Sequence, residues 1–184
     1  MRRLIVRPER FLSSPADGNA VSHVDLDLAG ARRVCLAASP RWNSLMEPAV
    51  TIDDARAGDA PFLVAHDRHV SGAVLKEKVV CGQVLVARLN GTVVGWLRFG
   101  LLWDTIPFMN LLFVLAPCHG RGVGSALVAC WENRMKRLGH REVLTSTQAD
   151  EQAQHFYRKL GYADIGVFTL PCRTAELVLC KTFG

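Results

Sequence analysis

Three glycines stand at alternate positions, 120, 122 and 124, inside the stretch LLFVLAPCHGRGVGSALVACWENRMKRLGH at residues 111–140. An apolar run and a proline precede them, and an amphipathic segment follows. Glycine loses more backbone freedom on folding than any other residue. Three at one strand-to-helix junction imply that something large approaches the backbone closely. The chemistry such a junction offers is anion binding. The first amides of a helix have no internal partners, and the helix dipole adds positive potential there. Missing side chains admit a ligand to those amides, and phosphate is the anion the arrangement suits best.

Several loops share that physics. A Walker A loop needs Gly-Lys-Ser/Thr, and the loop has no lysine. A dinucleotide fingerprint needs G-x-G-x-x-G/A, but its last place is Ser125 counted from Gly120 and Leu127 counted from Gly122. It also wants an acid at the end of the next strand, whereas Asp150 falls past that strand, in a helix-capping position. Two readings remain: the pyrophosphate loop of an acyl-coenzyme A site, and a tight turn without a ligand.

The elements that must hold this loop can be read from periodicity. Past the glycines, Val123, Leu127, Cys130, Trp131, Arg134 and Leu138 fall near one helical face, and Gly139 ends that helix. EVLTST reads as a strand. Asp150 is placed to N-cap a helix over EQAQHFYRKL, which Gly161 ends. ADIGVFTL and AELVLCKTF read as an antiparallel strand pair around Pro171. Upstream, AVTI is a short strand, and GDAPFLVAHDRHV is a helix with Asp59 as N-cap and Pro61 in its first turn. AVLKEKVVC is a second helix. QVLVARLNGTVVGWLRFG is a hairpin across Asn90-Gly91, the strongest short-range hairpin signal. FMNLLFVL follows the turn at LWDTIP. The order is β-α-α-β-β-β-α-β-α-β-β, an α/β (α+β) mixed sheet with helices on both faces.

Composition narrows the function classes. The chain has 184 residues, 49% hydrophobic and 21% charged, the balance of one globular domain with a real core. No apolar run approaches the roughly 20 residues that span a bilayer, which argues against membrane association. The basic start MRRLIVRPERF lacks the apolar core of a secretory signal. Six cysteines form no CxxC pair and sit mostly among apolar neighbours. They read as reduced thiols of a cytoplasmic protein, with no metal site. The net charge of +5 raises nucleic acid as a partner, but no Lys/Arg cluster exceeds two residues. A bland basic surface, or attraction for an anionic cofactor, fits better. Residues 1–48 differ from the rest, with a loop at LSSPADGN and breaks at Pro40 and Pro48, and are expected to be a poorly packed N-terminal extension to a domain at 49–184. Met46 precedes EPAVTIDD, so residues 1–45 are either an extension or an upstream reading of the start. The apolar VCLAAS run within them could lie on the core or on a partner subunit, so a homodimer is among the expectations.

VLAPCHGRGVGSALV resembles motif A of the GNAT superfamily of N-acetyltransferases, whose pattern is Gln/Arg-x-x-Gly-x-Gly/Ala. His119, Gly122 and Gly124 fall on those three places. DEQAQHFYRKLGY resembles the same family's second signature, with Asp150 where asparagine is common, Tyr157 at the tyrosine, and Gly161-Tyr162 at the Gly-aromatic close. The resemblance covers residues 50–183 and departs from the pattern at His119 and Asp150.

The resemblance implies a central, mostly antiparallel sheet with one splayed strand pair, and acetyl-CoA as acyl donor. It implies that the strand ending at Val114 and Leu115 pairs with the pantetheine arm, and that an amide near Val114 serves as oxyanion donor. The loop His119, Gly120, Arg121, Gly122, Val123, Gly124 and Ser125 would hold the pyrophosphate, and Asp150 would stand at the cofactor contact. Tyr157 would protonate the leaving thiolate; the alternative is a helix-face aromatic with its hydroxyl at the surface. The acceptor would be a primary amine, a small molecule rather than a protein, attacking directly within a ternary complex. For the base, the resemblance points to His69 in HDRH and to Asp104 in WDTIPFMN, with Trp103 and Phe108 as pocket walls. Asp104 could equally be a turn residue and His69 a capping or surface residue; His140 and His155 look like surface positions. A non-catalytic acyl-CoA binding or sensing module is the other functional class the same loop could serve.

Overall fold

The structure, a computed structural model, describes residues 50–184. The expected extension at 1–48, and with it the VCLAAS run, lies outside the described residues. Seven strands and four helices follow in the order read from the sequence. β1 is Val50–Asp54, α1 Ala60–His66, α2 Gly72–Val80, β2 Val84–Leu89, β3 Thr92–Leu102 and β4 Ile106–Val114. Then come α3 at Val123–Arg137, β5 at Glu142–Gln148, α4 at Ala153–Lys159, β6 at Ala163–Phe168 and β7 at Glu176–Thr182.

The sheet order is β1-β2-β3-β4-β5-β7-β6. Every neighbouring pair is antiparallel except β4 with β5, which is parallel. Asn90 and Gly91 both take positive φ, 51° and 81°, and join β2 to β3 with Leu89 opposite Thr92. That is the primed turn an Asn-Gly pair favours, because its twist matches the twist of the strands.

Strand alternation sends side chains to two cores. On one face Leu97, Met109, Leu112 and Val114 pack with Leu127 and Trp131 of α3 and Tyr157 of α4. On the other, Trp96 and Leu111 pack with Leu63 of α1 and Leu75 and Val79 of α2. Helices therefore cover both faces, as the sequence implied. Among the described residues, the five cysteines at 81, 118, 130, 172 and 180 form no disulfide. Among the described residues no helix is long and apolar enough to cross a membrane.

Two helix starts differ from expectation. Asp59 is the N-cap residue of α1, but its side chain makes no capping bond. Its carboxylate instead accepts from Arg88 Nη2 at 2.7 Å and from the Arg56 amide at 2.8 Å. α4 begins at Ala153 with Gln152 as N-cap, not at Asp150. The reason is Glu151, whose Oε2 takes the Thr147 hydroxyl at 2.7 Å and the Gln148 amide at 3.3 Å, closing a turn before the helix. Asp150 is left exposed in that turn.

Candidate active site

The ladder between β4 and β5 is short. Phe108 pairs with Leu144 and Met109 with Thr145, and the pairing goes no further. The Thr145 hydroxyl closes this end by donating to the Met109 carbonyl at 3.1 Å. From residue 110 on, β4 and β5 diverge, and β4 presents a bare edge.

Which backbone groups line that edge follows from β3. The Leu115 amide donates to Val94 O at 2.8 Å, so residue 115 faces β3. Antiparallel ladders alternate, so Phe113 and Leu111 also face β3, while Val114 and Leu112 point their N–H and C=O groups into the splay. The Val114 carbonyl is already engaged: the His119 ring donates Nε2–H to it at 2.7 Å. The Leu112 amide and carbonyl and the Val114 amide remain for an extended ligand arm. His119, which stands where the resembled motif has Gln/Arg, thus braces the loop against the end of β4.

The loop beyond β4 ends in a left-handed step. Gly120 and Gly122 have φ of 72° and 76°, and a Cβ on either would meet no protein atom within 4 Å. Gly122 is the N-cap of α3, a 15-residue helix with no side-chain cap of its own. Its first amides open onto free space, a cradle that phosphate oxygens would fill. Gly124 faces the other way. A Cβ there would lie 3.5 Å from Phe156 Cζ and 3.8 Å from Leu112 and Val114 side-chain atoms, ordinary contact distances. Its open face is therefore toward the protein and not toward a ligand.

Tyr157 is 2% exposed and shares the core with Leu112 and Val114. Its ring meets Phe156 at 5.3 Å and Tyr162 at 5.8 Å. The surface-hydroxyl alternative for Tyr157 is therefore set aside: the phenol belongs to the same interior as the splayed edge. Below it, burial pushes the Tyr162 phenol far above its ordinary range, and the nearby Glu132 carboxylate adds to the shift. Lys181 Nζ binds Glu132 Oε2 at 2.7 Å on that side.

The two candidate bases are not brought together. Asp104 and Trp103 have φ of 63° and 51° and form the tight turn between β3 and β4. The nine residues of β4 separate that turn from the glycine loop, about 30 Å at about 3.3 Å per residue. Asp104 is exposed there and is a turn residue. His69 is exposed between α1 and α2, its amide bonded to Asp67 Oδ1 at 3.1 Å. Val70, next to it, lines a cavity of about 310 Å³ on the α2 face of β3 and β4.

Phe108, an expected pocket wall, lines that cavity, whereas Trp103, 76% exposed, does not. Besides Val70 the cavity is lined by Val74 and Lys78 of α2, Arg98 and Gly100 to Leu102 of β3, and Phe108 and Asn110 of β4. The β3–β4 register steps from Arg98 opposite Leu111 to Phe99 opposite Met109, so Asn110 is the extra residue of a bulge. The bulge turns Asn110 toward the cavity and marks where β4 leaves β5. Arg98 is 5% exposed and is held by buried Asp67, Nε to Oδ2 at 2.8 Å. The two are 31 positions apart, beyond any local sequence signal.

The chain matches the acetyltransferase (GNAT) family over residues 54–162. A search of curated protein sequences finds no match. Among solved structures it is similar to Ard1 from Thermoplasma volcanium, at 17% identity and a TM-score of 0.65, covering 72% of this chain and 97% of that one. It is similar to Arabidopsis thaliana Naa50 in complex with the bisubstrate analogue CoA-Ac-MVNAL, at 20% identity and 0.60, covering 73% and 99%. It also resembles the Drosophila melanogaster polyamine N-acetyltransferase, which forms N-acetylagmatine, at 14% identity and 0.60, covering 73% and 100%. At these identities the likeness is one of fold.

Proposed function

We propose, for a chain that belongs to the GNAT acetyltransferase family, that the reaction is acetyl transfer to the primary amine of a small molecule by direct attack in a ternary complex. Acetyl-CoA is the acyl donor. The observation that carries the reading is a coincidence of two features at one end of the sheet. The bare β4 edge at Leu112 and Val114 leads directly into a loop whose open, positive-φ glycines precede α3.

The chain's residues divide the work. The loop at 119–125 and the first amides of α3 would bind the pyrophosphate, with His119 fixing the loop to Val114. The Leu112 and Val114 edge groups would hold the pantetheine arm. A free amide on this edge would bond to the thioester carbonyl and stabilise the negative charge that develops there. The amine nitrogen forms its bond to the carbonyl carbon as the C–S bond breaks. Tyr157 would give its proton to the departing sulfur, a transfer worth about 10² or more in rate. The amine's own proton would leave toward solvent through water, with His69, the chain neighbour of the cavity-lining Val70, as the group that would take it. Asp104 has no part in this scheme, and Asp150, exposed outside the helix start, contributes at most a surface contact.

Release of coenzyme A thiol from acetyl-CoA with a panel of primary amines tests the proposal. Turnover with any member of the panel is the expected result. Tight acetyl-CoA binding without thiol release would favour the alternative, a binding or sensing module.

A further inference from the structure

The cavity beside the bulge has a chemical bias. Gly100 forms its floor: a Cβ there would lie 3.4 Å from Asn110 Oδ1 and 3.5 Å from Lys78 Nζ. Two polar groups from different elements therefore converge above one bare backbone position. Lys78 is half-buried, and its ammonium bonds only to the neutral Gln83 Oε1, at 2.6 Å, with no acid partner among the described residues. Arg98 uses Nε on Asp67 and makes no other side-chain hydrogen bond among the described residues. Two cations against one buried carboxylate leave this end of the cavity with about one net positive charge. The remaining walls, Val70, Val74, Leu101, Leu102 and Phe108, are apolar.

Distance along the sheet adds a constraint. Arg98 is directly opposite Leu111, and Leu111 is next to the Leu112 edge where the thioester carbonyl would be held. Neighbouring strands lie roughly 4.8 Å apart. The acyl donor would pair with the other edge of β4, one spacing further on, so an anion over Arg98 and Lys78 is about 10 Å or more from the reacting carbon. Only an amine whose anion lies several bonds away can bridge that separation. The volume of about 310 Å³ is at the small end for ligand pockets and suits a small molecule of this kind.

We infer that the acceptor is a small amine that also carries a carboxylate, an amino acid of γ or longer spacing, whose anionic group rests on Lys78, Arg98 and Asn110. The inference rests on the acetyltransferase reading of this site. A diamine or polyamine, the class on which one structural relative acts, would bring a second cation to Lys78 and be repelled. A peptide N-terminus would offer this end of the cavity a neutral amide.

The test is a paired panel. Amino acids of α, β, γ and longer spacing are compared with their own carboxamides and with putrescine, by thiol release, with rates referred to the free-base amine; those of γ or longer spacing are the expected substrates. The expected result is a preference of roughly 10- to 100-fold for the acid over its amide, the range for a hydrogen bond to a charged group. In Lys78→Met that ratio collapses toward unity. In Gly100→Val, which leaves both cations in place and fills the floor, both acid and amide lose rate. Carboxamides or putrescine serving as well as the acids would overturn the inference and leave the transferase reading standing. If no amine releases thiol, calorimetry on the coenzyme A complex decides: acid binding that Lys78→Met abolishes supports the anion pocket, and no binding overturns it.

Discussion

Gly122 offers a test in which backbone strain and ligand contact can be separated. Its φ is 76° and ψ 0°, a left-handed step at the N-cap of α3. An alanine there costs roughly 1–2 kcal/mol of conformational strain. Its Cβ meets no protein atom within 4 Å, so there is no packing term to add. Gly139, at the other end of the same helix, is a matched control: its φ is 87° and its Cβ position is equally open. Gly122→Ala and Gly139→Ala should therefore lose similar stability, a fall in Tm of about 2–4 °C per kcal/mol for a chain of this size. They should differ in ligand binding. At 122 the methyl group occupies the space in front of the first α3 amides, where a phosphate oxygen must come within about 3 Å of nitrogen. Isothermal calorimetry should show coenzyme A binding weakened about tenfold or more in Gly122→Ala, further in Gly122→Val, and unchanged in Gly139→Ala. Equal affinity in all of these proteins, with the stability loss present at both sites, would refute the placement of pyrophosphate on this loop.

Tyr157→Phe keeps the buried ring among Phe156 and Tyr162 and removes only the hydroxyl; kcat should drop about 10²-fold at unchanged acetyl-CoA affinity, and a rate within twofold of wild type makes the residue purely structural. Asp67→Ala leaves Arg98, 5% exposed, without its partner; chemical denaturation should report a loss of about 3–5 kcal/mol, and a loss below about 1 kcal/mol would mean solvent reaches the guanidinium. Burial alone would raise the Asp59 carboxyl, but the bonds and charges of Arg88 and Arg56 hold it below its ordinary value of 3.8. Its contribution to stability is therefore complete above that value and is lost as pH falls through the lower folded value. Asp59→Asn should flatten this part of the acid limb in denaturation midpoints taken from pH 5 downward, and an unchanged slope would contradict it.

The element order was legible because each element carries a local signal. Asn90-Gly91 announces its hairpin, Gly139 and Gly161 their helix ends, and the spacing of Leu127 and Trp131 the buried face of α3. The glycine loop was legible for the same reason, though Gly120, Gly122 and Gly124 look alike in sequence and face different ways. Only the packing of Phe156 tells that Gly124 faces the protein. The acceptor side was hidden because its parts are distant in sequence and each has an ordinary local explanation. Lys78 reads as one charge in the solvated KEK run of α2. Arg98 is a lone cation in an apolar strand, and its partner Asp67 is one of several polar residues in HDRH. Asp104 is the visible carboxylate near a central strand, yet a positive-φ turn is a sufficient reason for aspartate there.

The bulge at Asn110 ties the two halves of the site together. A strand's side chains alternate between faces, so one extra residue changes the phase of everything after it. Before the bulge, Phe108 faces the cavity and Met109 the α3 core; after it, Leu111 faces α1 and α2 while Leu112 and Val114 return to the α3 core. If the strand ran through Asn110 in regular alternation, with no bulge, either Phe108 and Met109 or Leu112 and Val114 would have to exchange faces. The same step shifts the hydrogen-bonding phase, so the groups of Leu112 and Val114 look into the splay and not at β3. A polar residue is tolerated at 110 because the bulge frees it from both cores. One inserted position thus ends the β4–β5 ladder, bares the edge that would hold the acyl donor, and aims an amide at the cavity that would hold the amine. The separation between the two substrates is fixed by the backbone of β4 and not by side chains that can repack. A strand-fixed spacing favours acceptors of one length, which is why amino acids of α, β, γ and longer spacing should differ in rate more than their chemistry alone would make them.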